Sequence, residues 1–115
     1  NGNNWIFVRH QDRSSWEFPA GHIEANESAI EAAYRELYEE TGTVSADIIA
    51  LHDYSVDSNG ETKHGRLFFA RVQERKALPD SEIAEIRIQS VSPEPATYPE
   101  AHRSFLKVLE KYVGM

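Results

Sequence analysis

The chain has 115 residues, with 19 Asp or Glu side chains against 12 Lys or Arg, a formal net charge of −7. That length builds one domain around one core, and the acidic balance argues against a broad nucleic-acid or membrane surface. The lack of cysteine excludes disulfides and thiol chemistry and suits a reducing cytoplasm, and no apolar run reaches the length of a membrane span or forms a visible signal peptide.

The polar opening Asn1-Gly2-Asn3-Asn4, without an initiator Met, reads as the tip of a hairpin whose first strand would precede it. Trp5-Ile6-Phe7-Val8 is the strand that follows, with an exposed edge expected along Trp5 to His10. Trp16-Glu17-Phe18 is a short strand that breaks at Pro19-Ala20-Gly21. In the loop beyond it Asn26 can take the left-handed conformation that Gly often supplies, and Glu27 or Ser28 opens a helix.

Ser28 to Thr41 contains no Pro or Gly and is rich in Ala, Leu, Glu and Tyr, so it predicts a helix of about four turns ended by Gly42. At 100° per residue Glu36, Glu39 and Glu40 share one face. Ile30, Ala33, Tyr34 and Leu37 form an adjoining stripe, which is the face expected to be buried. Ala29 and Ala32 lie on the acidic side, where small side chains would leave room for metal, water and substrate. Arg35 is within i,i+4 reach of Glu31 and Glu39 and reads as a buttress for carboxylates.

Further along, Ile48–Val56 and Lys63–Val72 read as strands around Asp57-Ser58-Asn59-Gly60, where Asn-Gly signals a hairpin. Ile83–Ile88 alternates as another strand. After Pro93, Pro95 and Pro99, Glu100–Val113 is an amphipathic helix with Phe105, Leu106 and Leu109 inward.

Three carboxylates at i, i+3 and i+4 repel one another, and the cluster works best with a counter-ion. Clustered carboxylates suit the hard divalent cations Mg²⁺ and Mn²⁺. The competing reading, a solvated acidic face, would make the register accidental. Among the histidines, His10, His52, His64 and His102 show no metal-ligand spacing and read as structural or surface residues. Trp16, Tyr54, Phe68 and Phe69 read as core rather than base-stacking groups.

The positions Gly21, Glu27, Arg35, Glu36, Leu37, Glu39, Glu40 and Gly42 match the Nudix box, so the chain resembles the Nudix hydrolases. Thr43 stands where that family usually has an aliphatic residue, and Ala20 replaces the first Gly of its Pro-Gly-Gly lead-in. The resemblance implies a single Nudix domain over residues 1–115 that lacks the family's first strand, with an α/β fold in which a mixed sheet is sandwiched between two helices. It implies metal ligation by Glu36, Glu39 and Glu40, with the Gly21 carbonyl as a further contributor. Glu24 and Glu27 would hold metal-bound water or pair with Arg35.

One more acid usually comes from a distant loop, as ligand or general base. Glu82 is preferred for it over Glu85, which sits inside a strand pattern. Arg9 would meet a phosphate or base and His22 a phosphate. The runs Trp5–His10, Glu36–Gly42 and Asp53–Val56 resemble the MutT-like branch, which implies hydrolysis of 8-oxo-dGTP or another nucleoside triphosphate to monophosphate and pyrophosphate. ADP-ribose, dinucleoside polyphosphates and RNA 5′ ends stay open as substrates. The rival from another class is a nucleotide-binding module without turnover, and a homodimer is the assembly to test for.

Overall fold

The computed structural model describes residues 4–114, apart from the side chains of Val56 and Ser58. The opening turn expected at Asn1-Gly2-Asn3 lies outside the described residues.

Six elements follow in the order β1 (Trp5–His10), α1 (Ala29–Thr41), β2 (Thr43–Ser58), β3 (Glu61–Arg75), β4 (Ile83–Gln89) and α2 (Pro99–Val113). β1 pairs antiparallel with β4, from Trp5 opposite Gln89 to Arg9 opposite Glu85, so this edge of β1 is covered. On its other side Val8 pairs antiparallel with Glu17, and Trp16 in turn pairs in parallel with Ala96. The backbone bonds that make these links are Val8 N–H to Glu17 O (2.8 Å), Trp16 N–H to Pro95 O (2.8 Å) and Thr97 N–H to Trp16 O (2.9 Å). The result is a mixed sheet. The segment expected as the strand Trp16–Phe18 is reduced to bridges at Trp16 and Glu17, because the proline two residues on ends the extended run.

β2 and β3 form a long hairpin closed by Asn59 (φ 53°) and Gly60 (φ 80°), the left-handed pair that a two-residue turn of this kind requires. β2 begins directly after Gly42 rather than at Ile48. Register shifts between Thr43 and Ser45, between Ser45 and Ala46 and between Ala50 and His52 break the two-residue alternation that would have marked the earlier start.

Neighbouring side chains on β1 point to opposite faces, and both Phe7 and Val8 are fully buried, so the sheet is covered on both sides. On the Phe7 side lies α2. Phe7 stacks on Phe18 at 4.9 Å, Phe18 meets His102 at 5.4 Å, Tyr54 meets Phe105 at 4.8 Å, and Phe69 meets Tyr112 at 5.0 Å. Trp16, Tyr54 and Phe69 therefore take core roles, and His102 is buried among aromatics, where desolvation lowers its pKa. On the Val8 side Glu17 stands close enough to Glu40 of α1 to raise that carboxyl's pKa. The helix–sheet–helix arrangement expected from the resemblance is present.

α1 starts at a complete capping box, with the Ser28 hydroxyl accepting from Glu31 N–H and the Glu31 carboxylate accepting from Ser28 N–H. It ends at Gly42 with φ 75°. Its buried face is not the predicted stripe. Ile30 and Tyr34 are 37% and 45% exposed, whereas Ala32 is 5% exposed and Glu40 8%. Ala32, on the acidic side, is itself buried. Apolar periodicity misplaces the inward face because a buried carboxylate, Glu40, occupies part of it. The opposite side of α1 instead borders an open groove of about 500 Å³ lined by Tyr34, Leu37, Tyr38, Val44 and Ala46. Among the described residues no helix is long and apolar enough to cross a membrane.

Candidate active site

The loop from Pro19 to Ser28 folds back over the acidic side of α1. Its two anchor points are backbone groups. Ala20 N–H donates to Glu40 Oε1 at 3.0 Å, and the Glu36 carboxylate lies where a Cβ on Gly21 would be, so any side chain there would displace it. Asn26 (φ 66°) makes the left-handed turn expected of it. Glu24 N–H then donates to Glu27 Oε1 at 2.9 Å.

Arg35 ties this loop to the helix. Its Nε and Nη2 donate to the two oxygens of Glu27 at 2.6 and 3.0 Å, a bidentate pair. Nη1 donates to Glu36 Oε1 and to Glu39 Oε1, each at 3.2 Å, and Nη2 to the His22 carbonyl at 2.8 Å. Glu24 is a looser partner at 3.6 Å. The Arg35 hydrogen bond, reinforced by the Glu24 amide, holds Glu27 below the usual carboxylate range. Glu31, the other helical neighbour expected for Arg35, is engaged in the capping box instead.

Burial, followed by the hydrogen bond with Glu39, pushes the Glu36 carboxyl up to about 7 against the pull of Arg35. Burial is also the main reason that Glu40 rises to about 8. The Ala20 N–H opposes this rise, and the charges of Glu36, Glu17 and Glu82 add to it. Two desolvated carboxylates thus sit beside the loop, with Glu36 directly against Gly21. In the chain as it stands, no three His, Asp or Glu side chains among the described residues converge as a ligand set. Arg35 engages Glu36 and Glu39, and Ala20 engages Glu40. The donor chemistry still fits Mg²⁺ or Mn²⁺, since all the candidate donors are hard oxygens.

The other predicted residues fall into place unevenly. Glu82 is exposed in the turn before β4. Its carbonyl accepts from Gln11 N–H at 2.8 Å, and its charge is felt by Glu40. Glu85 is tied to Arg9 at 3.3 Å and lies 3.7 Å from Arg87. Arg9 is occupied by Glu85 and the Arg13 carbonyl and lies 5.9 Å from the centre of the Trp16 ring, with no box carboxylate among its partners. His22 contributes its carbonyl to Arg35, while the residue itself is exposed.

One residue beside the site was not anticipated. Glu17 is only 8% exposed and accepts from Arg13 Nη1 at 2.6 Å and Thr97 Oγ1 at 3.0 Å. The signal was present as an acid alternating with two aromatics in Trp16-Glu17-Phe18, a pattern that turns the carboxylate to the face opposite the rings.

Comparison with known proteins follows the same lines. A Bacillus subtilis (strain 168) protein named "Putative 8-oxo-dGTP diphosphatase YtkD" is 34% identical over 79 residues, covering 69% of this chain and 49% of that protein. An RNA pyrophosphohydrolase of Halorhodospira halophila (strain DSM 244 / SL1) is 46% identical over 46 residues, 40% of this chain and 25% of that protein. The chain thus spans half or less of these relatives. Among solved structures, a point mutant of a Bacillus subtilis pyrophosphohydrolase superposes with a TM-score of 0.79 at 25% identity, covering 96% of this chain and 76% of that one. A UDP-X diphosphatase superposes with a TM-score of 0.81 at 20% identity, covering 99% and 59%, a likeness of fold alone. The model of the NUDIX domain matches residues 1–109, and the chain belongs to that family.

Proposed function

We propose that this domain hydrolyses a nucleoside triphosphate, most simply an oxidised one such as 8-oxo-dGTP, to the monophosphate and pyrophosphate with Mg²⁺ or Mn²⁺. The observation that carries the reading is the pair of desolvated carboxylates, Glu36 and Glu40, against the Gly21 loop. A solvated acidic face would not bury its acids, which supports a site over an ornament.

Glu36, Glu39, Glu40 and the Gly21 carbonyl would hold the cation. The bound cation supplies charge neutralisation on phosphate oxygens and a more acidic water. Arg35 keeps the carboxylates aimed and ties the loop down through Glu27 and the His22 carbonyl. A water oxygen attacks phosphorus, the anhydride P–O bond breaks, and pyrophosphate departs with the bonding pair. Glu82, exposed near Glu40, is the base assigned to take the water's proton.

The substrate choice is supported by the extent of the match. The relative named for 8-oxo-dGTP aligns over 69% of the chain, and the first RNA pyrophosphohydrolase over 40%. The net charge of −7 also disfavours an RNA chain, and a cytoplasmic nucleotide pool is the setting that fits. ADP-ribose and dinucleoside polyphosphates are the alternatives to test. A panel of 8-oxo-dGTP, (d)NTPs, ADP-ribose, diadenosine polyphosphates and 5′-triphosphorylated RNA, assayed with Mg²⁺ or Mn²⁺, decides. Preferential release of pyrophosphate from 8-oxo-dGTP is expected. Preference for another class would replace the substrate, and nucleotide binding without turnover would favour the binding module.

A further inference from the structure

We infer that Glu17, through Thr97, is a positioning residue that sets the geometry of the cation-binding loop. The inference rests on the metal-dependent reading above and concerns residues outside the box.

Glu17 lies at the junction of three segments. Its backbone exchanges both hydrogen bonds with Val8 of β1 at 2.8 and 3.0 Å. Its carboxylate Oε2 takes Arg13 Nη1 and Thr97 Oγ1. The Thr97 hydroxyl also meets Ser15 Oγ at 2.7 Å, and Thr97 N–H donates to the Trp16 carbonyl at 2.9 Å. His10 Nε2 stands 3.7 Å from the other carboxylate oxygen, beyond hydrogen-bond reach. The segment after β4 is thereby fastened to the strand that leads into the loop.

Little slack separates this clasp from the cation site. Phe18 is wedged among Phe7, His102 and Phe105, and Pro19 has a fixed φ. The next two residues are Ala20, bonded to Glu40, and Gly21, seated under Glu36. A displacement at Glu17 therefore reaches the loop after a short, stiff path. Stability does not explain such a residue. Glu17 is buried but its Arg13 partner is well exposed, so the pair gains little Coulomb energy against the cost of desolvating the carboxylate, and an apolar residue of equal size would hold the sheet as well. A directional clasp does what an apolar residue cannot, which is to fix the register of three segments at once.

The test compares Thr97→Val and Thr97→Ser with wild type, reading free Mn²⁺ by its aqueous EPR signal during titration of the protein, alongside thermal unfolding in EDTA. Thr97→Val removes the hydroxyl while keeping the shape and the backbone bonds. The expected result is Mn²⁺ affinity weakened about tenfold in Thr97→Val, near-wild-type affinity in Thr97→Ser, and kcat reduced with KM unchanged in Thr97→Val. Glu17→Gln, which keeps the acceptor for Thr97 but loses the charge facing Arg13, should fall between them. Unchanged Mn²⁺ affinity in a Thr97→Val protein that melts at lower temperature would overturn the inference and leave a structural clasp only. Wild-type protein that binds no Mn²⁺ would overturn the metal-dependent reading itself, and with it this inference.

Discussion

In the absence of metal, Glu40 should make this fold less stable as pH rises, and Glu40→Gln should abolish that loss. The folded carboxyl titrates near 8 rather than at an ordinary 4.5, chiefly because it is buried. Its folded state therefore binds the proton more tightly than its unfolded state, and stability is fully present below pH 4.5 and falls as pH climbs toward 8. Each pH unit within that window removes about 1.4 kcal/mol if the group is wholly shielded. Solvent reaches part of this carboxyl, so about 2–3 kcal/mol between pH 5 and 8 is the working figure. Gln keeps an oxygen for Ala20 N–H and carries no charge at any pH. Thermal unfolding in EDTA at pH 5, 6, 7, 8 and 9 gives two curves, and their difference cancels other titrating groups such as Glu27. At roughly 4 °C per kcal/mol for a domain of this size, wild type should fall about 8–12 °C below Glu40→Gln across the window. Glu36, near 7, adds a slope of the same sign that persists in both proteins. Parallel curves would refute the account of a desolvated Glu40.

Other substitutions probe separate parts of the construction. Gly42→Ala forces a side chain to φ 75° and drives its Cβ onto the Lys76 carbonyl oxygen, so chemical denaturation should show a loss of more than about 1–2 kcal/mol, the cost of the left-handed conformation alone. Ser28→Ala removes the hydroxyl of the capping box and should cost about 1 kcal/mol in the same assay, with kcat nearly unchanged because the two cap bonds involve none of Glu36, Glu39 and Glu40. Gly21→Ala places a methyl group on the Glu36 carboxylate, so the rise in melting temperature on adding Mg²⁺ to wild type should vanish in this variant, and its persistence would show that Gly21 is not at the cation site.

The helix, its caps and its acids could be read from the sequence because each depends on neighbours a few residues away. Ser28, Glu31, Asn26 and Gly42 adopt the conformations their side chains or lack of one dictate. The hairpin turn at Asn59-Gly60 was legible for the same reason. What could not be read depends on tertiary context. The inward face of α1 runs through Ala32 and Glu40 because the loop supplies Ala20 N–H as a partner, and no periodicity within the helix records that bond. Bulges hid the first residues of β2 by breaking its alternation. Arg35 pairs with Glu27, as the resemblance implied, but its expected helical neighbour Glu31 is held by the capping box instead. The clasp of Glu17 with Thr97 joins residues 80 apart, which only the fold could bring together.

The most direct test of the account is pyrophosphate release from 8-oxo-dGTP followed against Mg²⁺ concentration, in wild type and in Glu39→Gln. The account predicts saturable Mg²⁺-dependent turnover in wild type, silence in EDTA, and at least a hundredfold loss, as an order of magnitude, in the variant. Turnover that ignores EDTA, or that survives in Glu39→Gln at the wild-type rate, would contradict it.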